Sequence, residues 1–196
     1  EHIVVCNDAE AYVLVAAAPF KDQAHHILDQ VASLSHVIVI PNEGGLPKGE
    51  SHPSRALDSG PATEEDVAWL QYTGGTTGRP KGVMVSHRAM VHTVATCMAD
   101  AELPHVPRYL AAAPLTHATG LGVLPALLRG GTVVVEQGFD PGRFLDLIET
   151  ERINWTNAIP TMIYALLDHG RPETRNLSSL ETIWYATGPM SPARLA

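Results

Sequence analysis

The stretch LQYTGGTTGRPKGVMVSH, Leu70 to His87, decides how the rest of the chain is read. Three glycines and three threonines fill Thr73–Gly78, and Arg79, Pro80, Lys81 and Gly82 follow directly. A strand-like run, VAWLQYT (Val67–Thr73), leads in, and a second short strand, GVMVS (Gly82–Ser86), leads out. Backbone N–H groups converge on an anion when the chain takes left-handed or alternating conformations, which glycine adopts at little steric cost. Gly74, Gly75 and Gly78 suit that role. The hydroxyls of Thr73, Thr76 and Thr77 can donate to phosphate oxygens, Lys81 adds a mobile point charge, and Arg79 a planar fork. Composition alone fits a solvated hairpin turn between WLQY and VMVS equally well. The clustered threonines, the Arg-Pro-Lys tail and the position after a strand, where α/β sheets bind ligands, favour a phosphate loop. A Walker A loop is excluded, since it needs four residues between its glycines and a Ser or Thr after the lysine, where this chain has Gly82. No G-x-G-x-x-G opens a helix, so a Rossmann fingerprint is excluded too.

Outward from this loop, strand-like runs alternate with helical ones. On the N-terminal side, YVLVAA (Tyr12–Ala17) reads as a buried strand and HVIVI (His36–Ile40) as the next. Between them DQAHHILDQVASL (Asp22–Leu34) carries Ala24, Ile27, Leu28, Val31 and Ala32 at helical spacing. Residues Pro41–Gly60, rich in Pro, Gly, Ser and Asn, predict a long surface loop, and TEED from Thr63 resembles a capping box that starts a short helical turn. On the C-terminal side, Ser86 is placed to cap a helix over His87–Ala101. The strands RYLAAAP, GTVVVEQ, INWTNA and LETIWYATG then alternate with the helices GLGVLPALLRG, DPGRFLDLIETER and PTMIYALLDHG. The second of these helices carries Pro141, and the third Pro160, in a first turn, where proline is tolerated. Phe144, Leu147, Ile148, Met162, Leu166 and Leu167 read as core. The alternation predicts a layered α/β fold with a mostly parallel sheet flanked by helices.

Composition narrows the function. Hydrophobic residues are 45% and charged residues 17% of 196, the balance of a globular chain rather than a disordered one. The net charge of −8 argues against a nucleic-acid partner, which calls for a basic face, but leaves room for a nucleotide held by a few local donors. Cys6 and Cys97 form no metal or redox spacing, which points to a reducing, cytoplasmic setting. The longest apolar stretch, Ala11–Phe20, is too short for a transmembrane segment and is broken by Pro19. Ten histidines include the adjacent pair His25–His26 but no metal motif, so no metal ligand is assigned. The chain begins at Glu1 without methionine and stops just inside a helix-like run, so it reads as part of a longer protein.

The loop then meets a family. YTGGTTGRPKG (Tyr72–Gly82) resembles the phosphate-binding signature of the AMP-forming acyl- and aryl-CoA synthetases, members of the adenylate-forming superfamily. Gly74 stands where the usual form has Ser, so one hydroxyl contact is lost while the backbone N–H remains. APLTHATG (Ala113–Gly120) is similar to the family's P-L-F-H-x-x-G segment, with Thr116 in place of the usual aromatic and His117 as the matching histidine. Read without the family, His117 is a residue capping the next helix. NAIPT (Asn157–Thr161) matches a turn that starts a helix beside the substrate, and ATGPMSPARL (Ala186–Leu195) resembles the family's G-G-A-P-L-x-P stretch.

The resemblance implies an ATP-dependent acid–CoA ligase. It would activate a carboxylic acid, taken to be a fatty acid, as an acyl-adenylate and pass it to CoA, with ATP, Mg²⁺ and CoA as cofactors. Thr73, Gly74, Gly75, Thr76, Thr77, Gly78 and Lys81 would grip the ATP phosphates, and His117, Gly188, Pro189 and Met190 would border the acyl-adenylate pocket. Residues 1–196 would form the central part of the family's large N-terminal domain, without its early N-terminal segments or its C-terminal lid domain. The family's magnesium-holding Glu, ribose-binding Asp and distal lysine would lie beyond Ala196. No certain catalytic residue therefore falls in this chain, and the isolated piece is expected to be inactive. The alternatives are a non-catalytic nucleotide- or acyl-binding module and an adenylating enzyme that loads a carrier protein. A homo-oligomer is compatible with either reading.

Overall fold

A computed structural model describes residues 1–41, 61–74, 80–169, 175–186, 188–191 and 194. The chain divides into two compact units, Glu1–Met90 and Val91–Ala196, and the division falls inside one helix.

In the first unit, helix α1 (His2–Asp8) precedes strand β1 (Val13–Ala17), helix α2 (Lys21–Gln30) and strand β2 (His36–Ile40). Strands β1 and β2 pair in parallel, Val13 against His36 through Ala17 against Ile40. A parallel pair needs a crossover, and α2 supplies it. Its apolar side buries Ala24 and Ile27, and Ile27 joins Cys6, Val31 and Leu34 in a small core. The helix ends at Gln30, earlier than the apolar spacing predicts, because Val31 is already extended with φ −119°. Val31 still turns inward, while Ala32 is exposed.

Strands β3 (Val67–Thr73) and β4 (Lys81–Ser86) form an antiparallel hairpin with Thr73 opposite Lys81, and so depart from the otherwise parallel pairing. TEED starts a short turn, as expected. The Asp66 carboxylate accepts from the Thr63 N–H at 2.6 Å and the Asp66 N–H returns to the Thr63 carbonyl, closing one turn that β3 then cuts off. That N–H donor holds the Asp66 carboxyl below the usual carboxylate value. Helix α3 (His87–Asp100) starts where expected, with Ser86 Oγ accepting from the Ala89 N–H at 3.3 Å. Of the predicted Pro41–Gly60 loop, residues 42–60 lie outside the described residues.

The second unit is a four-stranded parallel sheet in the order β6-β5-β7-β8. Its strands are β5 (Arg108–Ala111), β6 (Thr132–Val135), β7 (Trp155–Ala158) and β8 (Thr182–Tyr185). The helices are α4 (Val123–Leu128), α5 (Pro141–Thr150) and α6 (Pro160–Asp168). The helix read over GLGVLPALLRG is a 3₁₀ turn, Ala118–Gly122, running into α4, which carries Pro125 within it. Both predicted proline starts hold, and Asp140 caps α5 by accepting from the Arg143 N–H at 2.8 Å.

Alternate residues of each strand face opposite sides of this sheet. Leu110 and Ala158 pack with Phe144, Leu145 and Ile148 of α5 and Met162 of α6. Tyr109, Ala111 and Trp155 pack on the other side with Ala126 of α4. Tyr109 and Trp155 stand in register with ring centroids 4.3 Å apart, and Trp184 meets Trp155 edge-on at 4.6 Å. The helices thus cover both faces, and the chain reverses its direction of winding between β5 and β7.

Candidate functional site

In a doubly wound sheet the carboxyl ends of the strands on either side of that reversal splay apart and leave a crevice, the usual ligand position. Four chain segments leave the sheet at this edge, following β5, β6, β7 and β8. His117 follows β5, and Gly188, Pro189 and Met190 follow β8. His117 is exposed and holds the N-cap position of the 3₁₀ turn, yet its ring makes no capping bond. A purely capping role therefore does not explain it. Gly188 packs at the start of α6, where an added Cβ would lie 3.6 Å from Pro160. The Ser191 N–H donates to the Tyr164 hydroxyl at 2.8 Å, tying the segment after Met190 to the same helix.

Sequence reasoning missed the polar cluster under this edge. Tyr109, fully buried, has its hydroxyl 2.8 Å from the Thr119 carbonyl and 2.7 Å from the Asn157 side-chain amide. The other end of that amide lies 3.2 Å from the Thr119 hydroxyl. Burial pushes the Tyr109 phenol well above its ordinary value. A tyrosine in an otherwise apolar strand is the one sequence signal that pointed here, because a buried hydroxyl requires a partner. The close packing of the turn on this ring demands glycine at 122, where a Cβ would stand 2.5 Å from the Tyr109 ring.

The phosphate-loop residues lie in the first unit. Thr73 ends β3 and Lys81 begins β4, paired across the mouth of the hairpin and both exposed. An added Cβ on Gly74 would meet nothing within 4 Å, so its approach is open. Gly75, Thr76, Thr77, Gly78 and Arg79 lie outside the described residues. Just before the loop, the Tyr72 hydroxyl donates to Asp8 at 2.7 Å, and this bond to a carboxylate pushes the phenol up to about 12. A separate groove in this unit, lined by His2, Val5, Cys6, Leu14, Phe20 and Gln23 among others, is mostly apolar.

A doubly wound sheet with a histidine turn and a glycine-proline segment at its carboxyl edge is the architecture of a ligand-binding α/β protein. The chain belongs to the AMP-binding enzyme family, whose model it matches over residues 1–196. It is 36% identical to the medium/long-chain-fatty-acid–CoA ligase FadD8 of Mycobacterium tuberculosis, over 100% of this chain and 36% of that protein. It is 42% identical to a feruloyl-CoA synthase of an Amycolatopsis species, over 69% of this chain and 28% of that one. Among solved structures it resembles the amide bond synthetase McbA of Marinactinospora thermotolerans, with a TM-score of 0.78, 27% identity, and coverage of 98% of this chain and 39% of that one. The chain thus spans about a third of the length of these relatives. The expected layered α/β fold and the expected family both hold.

Proposed function

We propose that this chain is the nucleotide- and acid-binding part of an ATP-dependent acid–CoA ligase, the central portion of the large domain of such an enzyme. The observation that carries the reading is the β3–β4 hairpin. It brings Thr73 and Lys81 side by side at the two ends of the glycine-threonine loop, as a phosphate grip requires. In the first half-reaction a carboxylate oxygen attacks the α-phosphorus of ATP, and pyrophosphate leaves with the bonding pair. Two anions must meet and the leaving group gains charge. The N–H groups of Gly74, Gly75 and Gly78, the hydroxyls of Thr73, Thr76 and Thr77, and the Lys81 ammonium would offset that repulsion. In the second, the CoA thiol loses its proton and attacks the acyl carbon, and AMP leaves.

His117, Gly188, Pro189 and Met190 border the acyl-adenylate in this reading, supported by their common position on the carboxyl edge. Mg²⁺ enters only as the counter-ion of the ATP phosphates. Among the described residues no group of three or more His, Cys, Asp or Glu would hold it, and no step is drawn through it. A fatty acid is the preferred substrate class, by likeness to the fatty-acid ligase. A cytoplasmic setting is supported by two free cysteines, and no helix among the described residues is long and apolar enough to cross a membrane. Likeness to an amide bond synthetase favours a second reading, in which an acceptor other than CoA takes the acyl group. Product analysis of the full-length protein with ATP, a carboxylic acid and CoA separates them. Acyl thioester and AMP formed in equal amounts support the ligase. AMP and pyrophosphate without thioester support the other acceptor, and ADP as the nucleotide product overturns both.

A further inference from the structure

We infer that Tyr109, Asn157 and Thr119 form a closed hydrogen-bonded ring that positions the His117 turn, making them positioning residues for the acid-binding half of the site; the inference rests on the ligase reading above.

The Tyr109 hydroxyl faces two acceptors, the Thr119 carbonyl at 2.8 Å and Asn157 Oδ1 at 2.7 Å, and its one proton is shared between them. The Asn157 Nδ2–H donates to Thr119 Oγ1 at 3.2 Å. These three contacts close a ring of Tyr109, Asn157 and Thr119.

The ring ties three elements. Tyr109 belongs to β5, Asn157 to β7 and Thr119 to the 3₁₀ turn, so it spans the two strands whose ends flank the crevice and clamps the turn between them. Thr119 is 2% exposed and grips through both its carbonyl and its hydroxyl. His117, two residues earlier, donates no side-chain bond to hold its own turn. Backbone bonds from His117 N–H to Pro114 and from Gly120 N–H to His117 shape the turn locally, and the ring anchors it to the sheet through side chains. Loss of one member leaves buried polar atoms unpaired and frees the turn that carries the histidine.

The test uses the full-length protein with Tyr109→Phe, Thr119→Val and Thr119→Ser, measuring KM for acid and for ATP, kcat in pyrophosphate exchange, and melting temperature. The acid KM should rise roughly fivefold or more in Tyr109→Phe and Thr119→Val, the scale of one lost buried hydrogen bond. The ATP KM should stay within about twofold, since the phosphate grip is a separate element, and Thr119→Ser should restore the wild-type acid KM. The double variant should add little to either single change, because opening the ring once opens all of it. Lower melting temperatures with an unchanged ratio of acid KM to ATP KM would overturn the inference, as would acid and ATP KM rising together. If the wild-type protein exchanges pyrophosphate with no acid at all, the ligase reading fails first, which keeps the two failures distinct.

Discussion

Lys81 carries the most exposed claim at the residue scale. It stands at the mouth of the hairpin opposite Thr73, and the proposed phosphate grip would use it as a point charge. In the full-length protein, Lys81→Ala is expected to weaken ATP binding or raise its KM about tenfold, the scale of one charge-assisted bond. Unchanged kinetics would remove Lys81 from the phosphate grip. Tyr109 makes a different prediction, about pH. Its folded-state pKa is raised by burial, so the neutral phenol is favoured by folding. Its contribution to stability is fully present below the unfolded value of about 10 and is lost as pH climbs above it. Alkaline titration followed by phenolate absorbance should show Tyr109 ionising only together with unfolding. Ionisation near pH 10 in a still-folded chain would contradict its burial. The proposed phosphate-binding residues could be named from the sequence because glycine, threonine and lysine carry their chemistry in their own types. Tyr109 and Asn157 were not, because a lone polar residue acquires meaning only from the strand that faces it.

At the element scale the helix starts follow local rules. Asp140 accepts from the Arg143 N–H and Pro141 opens the turn, so Asp140→Ala should cost about 1 kcal/mol, read as a lower melting temperature. A change of less than a few tenths of a kcal/mol would mean that α5 is fixed by its packing of Phe144, Leu145 and Ile148 alone. The 3₁₀ turn is held more tightly still. A Cβ at Gly120 would lie 2.0 Å from the Leu115 carbonyl oxygen, so Gly120→Ala forces a backbone shift and should destabilise by about 1–3 kcal/mol, checked by denaturant unfolding. Strand and helix positions were read well wherever cap, proline or periodicity signals agreed. The early end of α2 has a physical cause: Val31 keeps the helical spacing but ends in extended geometry because it must feed β2.

For the whole molecule, sequence alternation was enough to fix the α/β class, and the two-sided helix packing around β5 and β7 adds where a ligand belongs. What the alternation left hidden is the reversal between those strands, because the order β6-β5-β7-β8 depends on which face each crossover covers. The carboxyl edge there brings His117 and the Gly188–Met190 segment to one side of the sheet. The central claim is that these parts serve the adenylation of a carboxylic acid. Its most direct test is carboxylate-dependent exchange of labelled pyrophosphate into ATP by the full-length protein, across short-, medium- and long-chain and aromatic acids. The account predicts exchange that requires a carboxylic acid and is strongest with one chain-length or ring class. A folded, ATP-binding sample that exchanges with none of these acids would contradict it.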